Sequence, residues 1–352
     1  MAPPSLISLL AILSLAVLAC FFAASPVDAL ATNLHHIRDV PAIGHGAMAR
    51  RKRATSTDAQ RCKQRPSSSS SSSPTPKSTT PKAKPSPSTH STAKKPASTP
   101  SPSLSGKAGK GKIGLAWANG NSVSMKPFVN DQVQFVYTWT PSKPSDSDSL
   151  GLTFLPMLWG PNQVGDFKNL VKKGYATSVM GFNEPEQPGQ SNISPETGAQ
   201  LWKEYIQPLE NEGYTNLISP ATSSAPAGFT WMQDWYKACN GGCRPNLMAA
   251  HYYDISADGL ITYLEHWHNT FHLDMLLTEF ACQNFNNPNQ QCTEADIQKF
   301  VEAVVEFANN TEWMVAIMPF GAMHQMQGVN QLDQLMASNG QPTALWQKFV
   351  NP

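Results

Sequence analysis

No glycine-rich phosphate loop follows any early apolar run of this 352-residue sequence. Nucleotide binding on a doubly wound sheet therefore has no support. Long hydrophobic runs are also scarce. One uncharged stretch, 6–24, leads to small residues and an A-x-A-like site at Ala29-Leu30-Ala31, which reads as a signal peptide over 1–31. No Lys or Arg precedes it, and it is long enough to be an uncleaved anchor, so both readings stay open. No other stretch is apolar enough to span a bilayer, and Phe349-Val350-Asn351-Pro352 is no hydrophobic tail of the lipid-anchor kind. Stable membrane insertion after signal cleavage is not expected.

Basic residues are sparse beyond Lys112. Ten Lys or Arg face twenty-two Asp or Glu there, whereas 32–112 holds sixteen basic residues against Asp39 and Asp58. An acidic folded part is a poor nucleic-acid binder and suits a neutral substrate. The basic segment either touches an anionic surface or is merely solvated. It is poor in large apolar residues. Seven serines, Ser67 to Ser73, give way to Ser, Thr, Pro and Lys repeats up to Gly111. Such a composition cannot bury apolar area, so 32–111 is expected to be a disordered linker in the style of an O-glycosylated stalk. Arg50-Arg51-Lys52-Arg53 within it is either a secretory-pathway processing site or a solvated charge run.

Cysteines number six, with Cys20 in the leader and Cys62 in the tail. For the remaining four, loop closure favours the local pairs Cys239–Cys243 and Cys282–Cys292. Their spacings do not match the usual C-x2-C zinc pairs, and no metal or organic cofactor is implied. Two sequons, Asn192-Ile193-Ser194 and Asn309-Asn310-Thr311, make Asn192 and Asn309 candidate glycosylation sites, each expected on a surface loop.

The segment 112–352 is long enough for one large domain. Its texture alternates apolar runs with amphipathic stretches. Candidate strands lie at Ile113–Ala118, Val133–Trp139, Thr153–Trp159, Ser178–Phe182, Leu217–Ala221, Leu247–Tyr253, Met275–Phe280 and Trp313–Phe320. Thr293 and Asp296 form a capping-box pattern. Apolar residues then recur at Ile297, Phe300, Val301, Val304, Val305 and Ala308, the spacing of one helix face. A second helix starts with Ser194 as cap and Pro195 at its first position and ends near Gly213. Eight buried strands alternating with helices predict an α/β fold, a (β/α)8 TIM barrel preceded by the tail.

Barrel enzymes carry their chemistry at the C-terminal ends of the strands. The fourth run ends Gly181-Phe182-Asn183-Glu184-Pro185-Glu186, and the seventh carries Glu279. Glu184 is either a general acid with a raised pKa or a capping residue. Glu279 is either catalytic or half of a structural ion pair, though the domain offers few cations for one. Two carboxyls from different strands are what glycoside hydrolysis needs. His251 and Tyr253 share one face of the sixth run. Trp117, Trp139 and Trp159 end strands and are candidate sugar-stacking rings, with core packing as the rival reading for each. Glu186 is either a partner of Glu184 or a swapped assignment. Trp231, Trp235, Trp267 and Trp346 lie in helical patterns and are assigned to packing.

Asn183-Glu184-Pro185 with Glu279 looks like the acid/base and nucleophile pattern of clan A glycoside hydrolases. Together with Lys112-Ile113-Gly114-Leu115-Ala116-Trp117, Met157-Leu158-Trp159-Gly160, Ala250-His251-Tyr252-Tyr253 and Thr278-Glu279-Phe280, it resembles glycoside hydrolase family 128, the fungal catalytic-core proteins of cell walls. The resemblance covers 112–352. It implies a secreted or wall-bound retaining endo-β-1,3-glucanase, with Glu184 as acid/base, Glu279 as nucleophile and Asn183 on the sugar 2-hydroxyl. β-1,3-Glucan is then the partner, nucleic acid is not, and a monomer is expected. A non-catalytic glucan-binding protein and a glycanase for another β-linked polysaccharide are the alternatives.

Overall fold

The computed structural model describes Leu104 and residues 111–351. The expected signal peptide, tetrabasic run, Cys20, Cys62 and nearly all of the linker lie outside the described residues. Eight parallel strands form one sheet: β1 Ile113–Ala116, β2 Val133–Tyr137, β3 Thr153–Phe154, β4 Ser178–Met180, β5 Asn216–Ile218, β6 Leu247–Asp254, β7 Asp274–Cys282 and β8 Met314–Ile317. The order β3-β2-β1-β8-β7-β6-β5-β4 leaves β3 and β4 at its two ends. A parallel bridge between Met157 and Met180, with Leu158 N–H donating to Met180 O at 3.1 Å, brings those ends together. The strands thus close into the predicted barrel.

Helices separate the later strands: α1 Val164–Leu170, α2 Pro195–Leu201, α3 Pro226–Cys239, α4 Ala257–Phe271, α5 Glu294–Asn310 and α6 Ala344–Val350. Both predicted helix starts are present. Ser194 accepts from Thr197 N–H, and Thr293 and Asp296 make the full capping box. Beyond α2 the chain continues through a π turn and a 3-10 turn to Gly213, whose φ of +96° ends it. Asn309 is exposed, but it sits in the last turn of α5 rather than on a loop. The α5 pattern runs through its final turn because Ala308 still packs on the core. Among the described residues no helix is long and apolar enough to cross a membrane.

Alternation along the strands sorts side chains into two apolar layers. The outer layer joins strands to helices and holds Ile113, Leu115, Val136, Met248, Leu277 and the helix faces. The inner layer fills the barrel with Phe135, Tyr137, Leu155, Ala249, Leu276 and Ala316, and Leu104 from the tail is buried in it. Trp231, Trp235, Trp267 and Trp346 belong to the outer layer, as expected from their helical setting. Both disulfides form, with Cα–Cα distances of 5.4 Å for Cys239–Cys243 and 5.9 Å for Cys282–Cys292.

Gly181 lets β4 and β5 approach each other just before the Asn183-Glu184 tip. A Cβ there would stand 2.7 Å from the Pro220 backbone nitrogen. That neighbour is backbone and cannot swing away. Gly181→Ala is expected to cost about 1–3 kcal/mol, read as a lower urea midpoint at unchanged m-value.

Candidate active site

Two strand ends bring their carboxyls together through different backbone devices. On β7, strict alternation from the inward Leu276 and outward Leu277 would send Glu279 outward. Pairing with β6 instead jumps from Ala250↔Leu277 to His251↔Glu279 and leaves Thr278 as an extra residue. This β-bulge shifts the parity by one, so Glu279 points into the barrel while Phe280 joins the outer layer. The freed Thr278 carbonyl accepts the Tyr137 hydroxyl at 2.7 Å.

Beyond β4 the chain turns sharply. Asn183 N–H donates to Trp159 O at 3.0 Å, and Glu184 N–H donates to Ala221 O at 2.7 Å. Glu184 itself has φ +39°, and Trp139 on the opposite side of the site has φ +54°. Left-handed backbone at bulky residues costs on the order of 1–3 kcal/mol each and persists only where the surroundings enforce it.

Glu184 and Glu279 are both buried, at 2% and 6% exposure. His251, fully buried, lies between them. Its Nδ1 is 3.0 Å from Glu184 Oε1 and its Nε2 is 3.5 Å from Glu279 Oε1. One oxygen of each carboxyl and one nitrogen of His251 lie within 4.8 Å of one another. Such a set could hold a metal ion, yet the His251 ring already accounts for the proximity by bridging the two acids. Glu279 gains two further donors: Trp139 Nε1 reaches Oε1 at 2.6 Å and the Tyr253 hydroxyl reaches Oε2 at 2.8 Å.

Burial pushes the Glu279 carboxyl above the ordinary carboxylate range. His251 opposes that rise, the charge of Glu184 adds to it, and the Trp139 and Tyr253 bonds oppose it again. For His251, burial alone would disfavour the cation. The surrounding Glu279, Glu184 and Glu186 outweigh burial and raise its pKa.

A cleft of about 220 Å³ opens above this pair. Trp139, Trp159, Asn183 and Tyr253 line it, as the sequence suggested. Asn183 donates its Nδ2 to Gln190 Oε1 at 3.1 Å, while its buried Oδ1 has no protein partner. Two expected site residues are elsewhere. Trp117 is fully buried in the outer layer, edge-on to Phe128 at 5.4 Å with its indole N–H on Gly120 O. It shares the parity of Ile113 and Leu115, and that parity faces the helices. Glu186 lies behind the tip and does not line the cleft. Its Oε1 accepts from Ser223 N–H at 2.9 Å and Ser223 Oγ at 2.5 Å. Burial, then the charge of Glu184, raises its pKa.

The sequence reading missed Phe320, Phe285, Gln163 and Gln190 in the cleft wall. Phe320 closes the last candidate strand, so the strand-end rule applied to the tryptophans would have found it. Gln163, which donates to Trp139 O at 3.1 Å, and Phe285 sit in connections that carry no periodic signal.

Residues 114–349 match the family described as glycosyl hydrolase catalytic core. No curated protein sequence matches the chain. Among solved structures, the exo-β-1,3-glucanase of Aureobasidium namibiae, family 128 subgroup VI, is 26% identical with a TM-score of 0.59 and covers 68% of this chain and 96% of its own. The subgroup II endo-β-1,3-glucanase of Sorangium cellulosum is 24% identical (TM-score 0.58; 68% of this chain, 98% of its own). An oligosaccharide-binding protein of Trichoderma gamsii, subgroup VII, matches equally well (24% identical, TM-score 0.58; 68% and 93%).

The Tyr137 hydroxyl braces the bulge that aims Glu279. Tyr137→Phe leaves the Thr278 carbonyl buried without its donor. The expected loss is about 1–3 kcal/mol of unfolding free energy, measured by urea denaturation. A variant of full stability would mean that the bulge holds without this bond.

Proposed function

The chain belongs to the glycosyl hydrolase catalytic core family, glycoside hydrolase family 128, and is a glycoside hydrolase; from that premise we propose that it is a retaining endo-β-1,3-glucanase. The observation that carries the stereochemical part is the distance between the acids. One oxygen from each acid lies within 4.8 Å of the other, a close approach that favours the roughly 5–5.5 Å carboxyl spacing of retaining enzymes over the about 6.5–9.5 Å of inverting ones.

Glu279 is the proposed nucleophile. Trp139 and Tyr253 each donate to it, which fixes its two oxygens and favours its anionic form. Glu184 is the proposed acid/base. It gives a proton to the glycosidic oxygen as Glu279 attacks the anomeric carbon. The leaving sugar departs with that proton, and a covalent glycosyl-enzyme remains. Glu184 then takes a proton from an incoming water, which attacks the same carbon, displaces Glu279 and restores both carboxyls. Two inversions give net retention. His251 positions both acids from between them. Asn183 lines the cleft beside Glu184 and is the proposed partner of the sugar 2-hydroxyl, and the Trp159 ring offers a face to sugar C–H groups. Glucan as substrate follows the activity that the Aureobasidium namibiae and Sorangium cellulosum structures carry in their descriptions. A polymer of that kind stays outside the cell, and two disulfides suit an oxidising compartment. We therefore place the protein outside the cell or in its wall.

Glu279→Gln is expected to lower kcat on laminarin by about 10⁴-fold or more, and Glu184→Gln by about 10²–10⁴-fold. Near-normal turnover by the Glu279 variant would remove the nucleophile assignment. Tight glucan binding by the unaltered protein without release of reducing ends would favour the binding-only alternative. Products of mixed length would support endo action, and glucose alone would count against it.

The rate should follow a bell on the acidic side of neutral. Glu279 must be ionised to attack, and its raised pKa sets the acid limb above that of an ordinary carboxylate. His251 holds that pKa down. His251→Asn should therefore move the acid limb of kcat/KM to higher pH, measured on laminari-oligosaccharides. An unmoved limb would show that Glu279 does not titrate against His251.

A further inference from the structure

Residues 283–291 leave β7 three positions after Glu279 and return to Thr293, the cap of α5. Eight of these nine residues are Asn, Gln or Pro, and Phe285 is the only aromatic. The segment is fastened at both ends by Cys282–Cys292. Across it, Asn284 N–H donates to Gln291 Oε1 at 2.9 Å, and Gln291 Nε2 donates to Asn284 O at 2.7 Å. The β8–α6 connection stitches it from outside. Asn330 N–H donates to Gln283 Oε1 at 2.6 Å and Asn330 Nδ2 to Cys292 O at 3.0 Å. Cys282 N–H donates to Asp333 Oδ1 at 3.3 Å.

All this fastening holds one ring in the cleft wall. Phe285 is half-buried and lines the cleft. It meets Tyr253 in a T-shaped pair, centroid to centroid 5.4 Å at 67°. Tyr253 in turn donates to Glu279. Phe285 is thus one side chain removed from the reacting carboxyl. Leaving a phenyl ring partly wet in an otherwise polar loop forgoes burial of apolar area. A sugar ring recovers it, because its C–H face covers the phenyl while its hydroxyls stay hydrogen-bonded. A ring held in place before binding also loses little entropy on binding.

We propose that Phe285, held by the Cys282–Cys292 loop, is a specificity-determining platform that stacks one glucosyl unit next to the bond being cleaved. The proposal rests on the glucanase reading above. Phe285 takes no part in the chemical steps. It sets the affinity for the oligosaccharide through the one unit it covers.

Laminarihexaose binding to the inactive Glu279→Gln protein, measured by calorimetry, separates the two ideas. Adding Phe285→Ala to that background should weaken binding about tenfold, and Phe285→Trp should restore it. In the active enzyme, Phe285→Ala should raise KM for laminarihexaose while the loss in kcat stays small. The double variant Cys282→Ser with Cys292→Ser should raise KM in the same direction, with circular dichroism showing that the fold is kept. Unchanged hexaose affinity in the Phe285→Ala protein overturns the platform and leaves the glucanase reading standing. So does a fall in kcat at constant KM, because Phe285 would then act only by propping Tyr253. If the Glu279→Gln parent binds no laminarihexaose, the glucan reading itself fails and the platform falls with it.

Discussion

Two carboxyls cannot be buried side by side without something between them, and in this molecule that is the His251 ring. A buried, unpaired carboxylate costs several kcal/mol, and a second one nearby adds repulsion. Among the described residues the structure meets both costs with fixed dipoles and the His251 ring. His251 spans the gap, with one nitrogen toward each acid. Trp139 and Tyr253 then favour Glu279 alone. The two acids are chemically alike in sequence and unlike in surroundings, and that difference separates a proposed nucleophile from a proposed proton donor. The domain has few Lys and Arg, and among the described residues none forms a salt bridge to Glu184 or Glu279.

The backbone supplies the aim. β6 keeps regular alternation, so His251 and Tyr253 face inward together with Ala249. β7 breaks it at Thr278, and without that break Glu279 would point at the helices. β4 reaches the same pocket differently, through the close approach at Gly181 and a left-handed Glu184. Each device gives up local stability. The recovery comes from the two long strands β6 and β7, paired over their whole length, and from the aromatic layer beneath, where Tyr137 touches both Trp139 and the Thr278 carbonyl.

This division explains what could be read beforehand. Strand and helix identity follows from periodicity, so all eight strands and both capped helix starts were legible. Glu279 was legible as a candidate too, because a lone Glu at the end of a nearly continuous apolar strand has few structural uses, whereas Glu184 stood out by the Asn-Glu-Pro pattern. Side-chain direction was harder. Trp117 and Trp139 both end strands, yet one faces helices and the other the cleft. Parity could have decided it: Trp117 continues Ile113 and Leu115, with the small Gly114 and Ala116 on the inner side. No such count finds Glu279, because a bulge is one unpaired residue and leaves no mark in composition. Glu186 illustrates a further limit. It is two residues from Glu184 and equally acidic, but only the Ser223 backbone and hydroxyl show that it is turned away from the cleft.

The fold cannot choose the activity. An exo-acting glucanase, an endo-acting one and an oligosaccharide-binding protein superpose on this chain with TM-scores of 0.58–0.59. The fold is common to them, so function has to be argued from the site. Sugar binding alone requires aromatic faces and a few hydrogen-bonding groups. It gains nothing from two dry carboxyls, a histidine between them and a strained glutamate backbone, all of which lower stability. That cost is intelligible when the acids react with the sugar rather than merely touch it. The wall carrying Phe285, by contrast, is polar and stitched by a disulfide and side-chain hydrogen bonds. Chemistry and recognition thus fall to different parts of β7: the bulged strand aims the acid, and the loop beyond Cys282 shapes what reaches it.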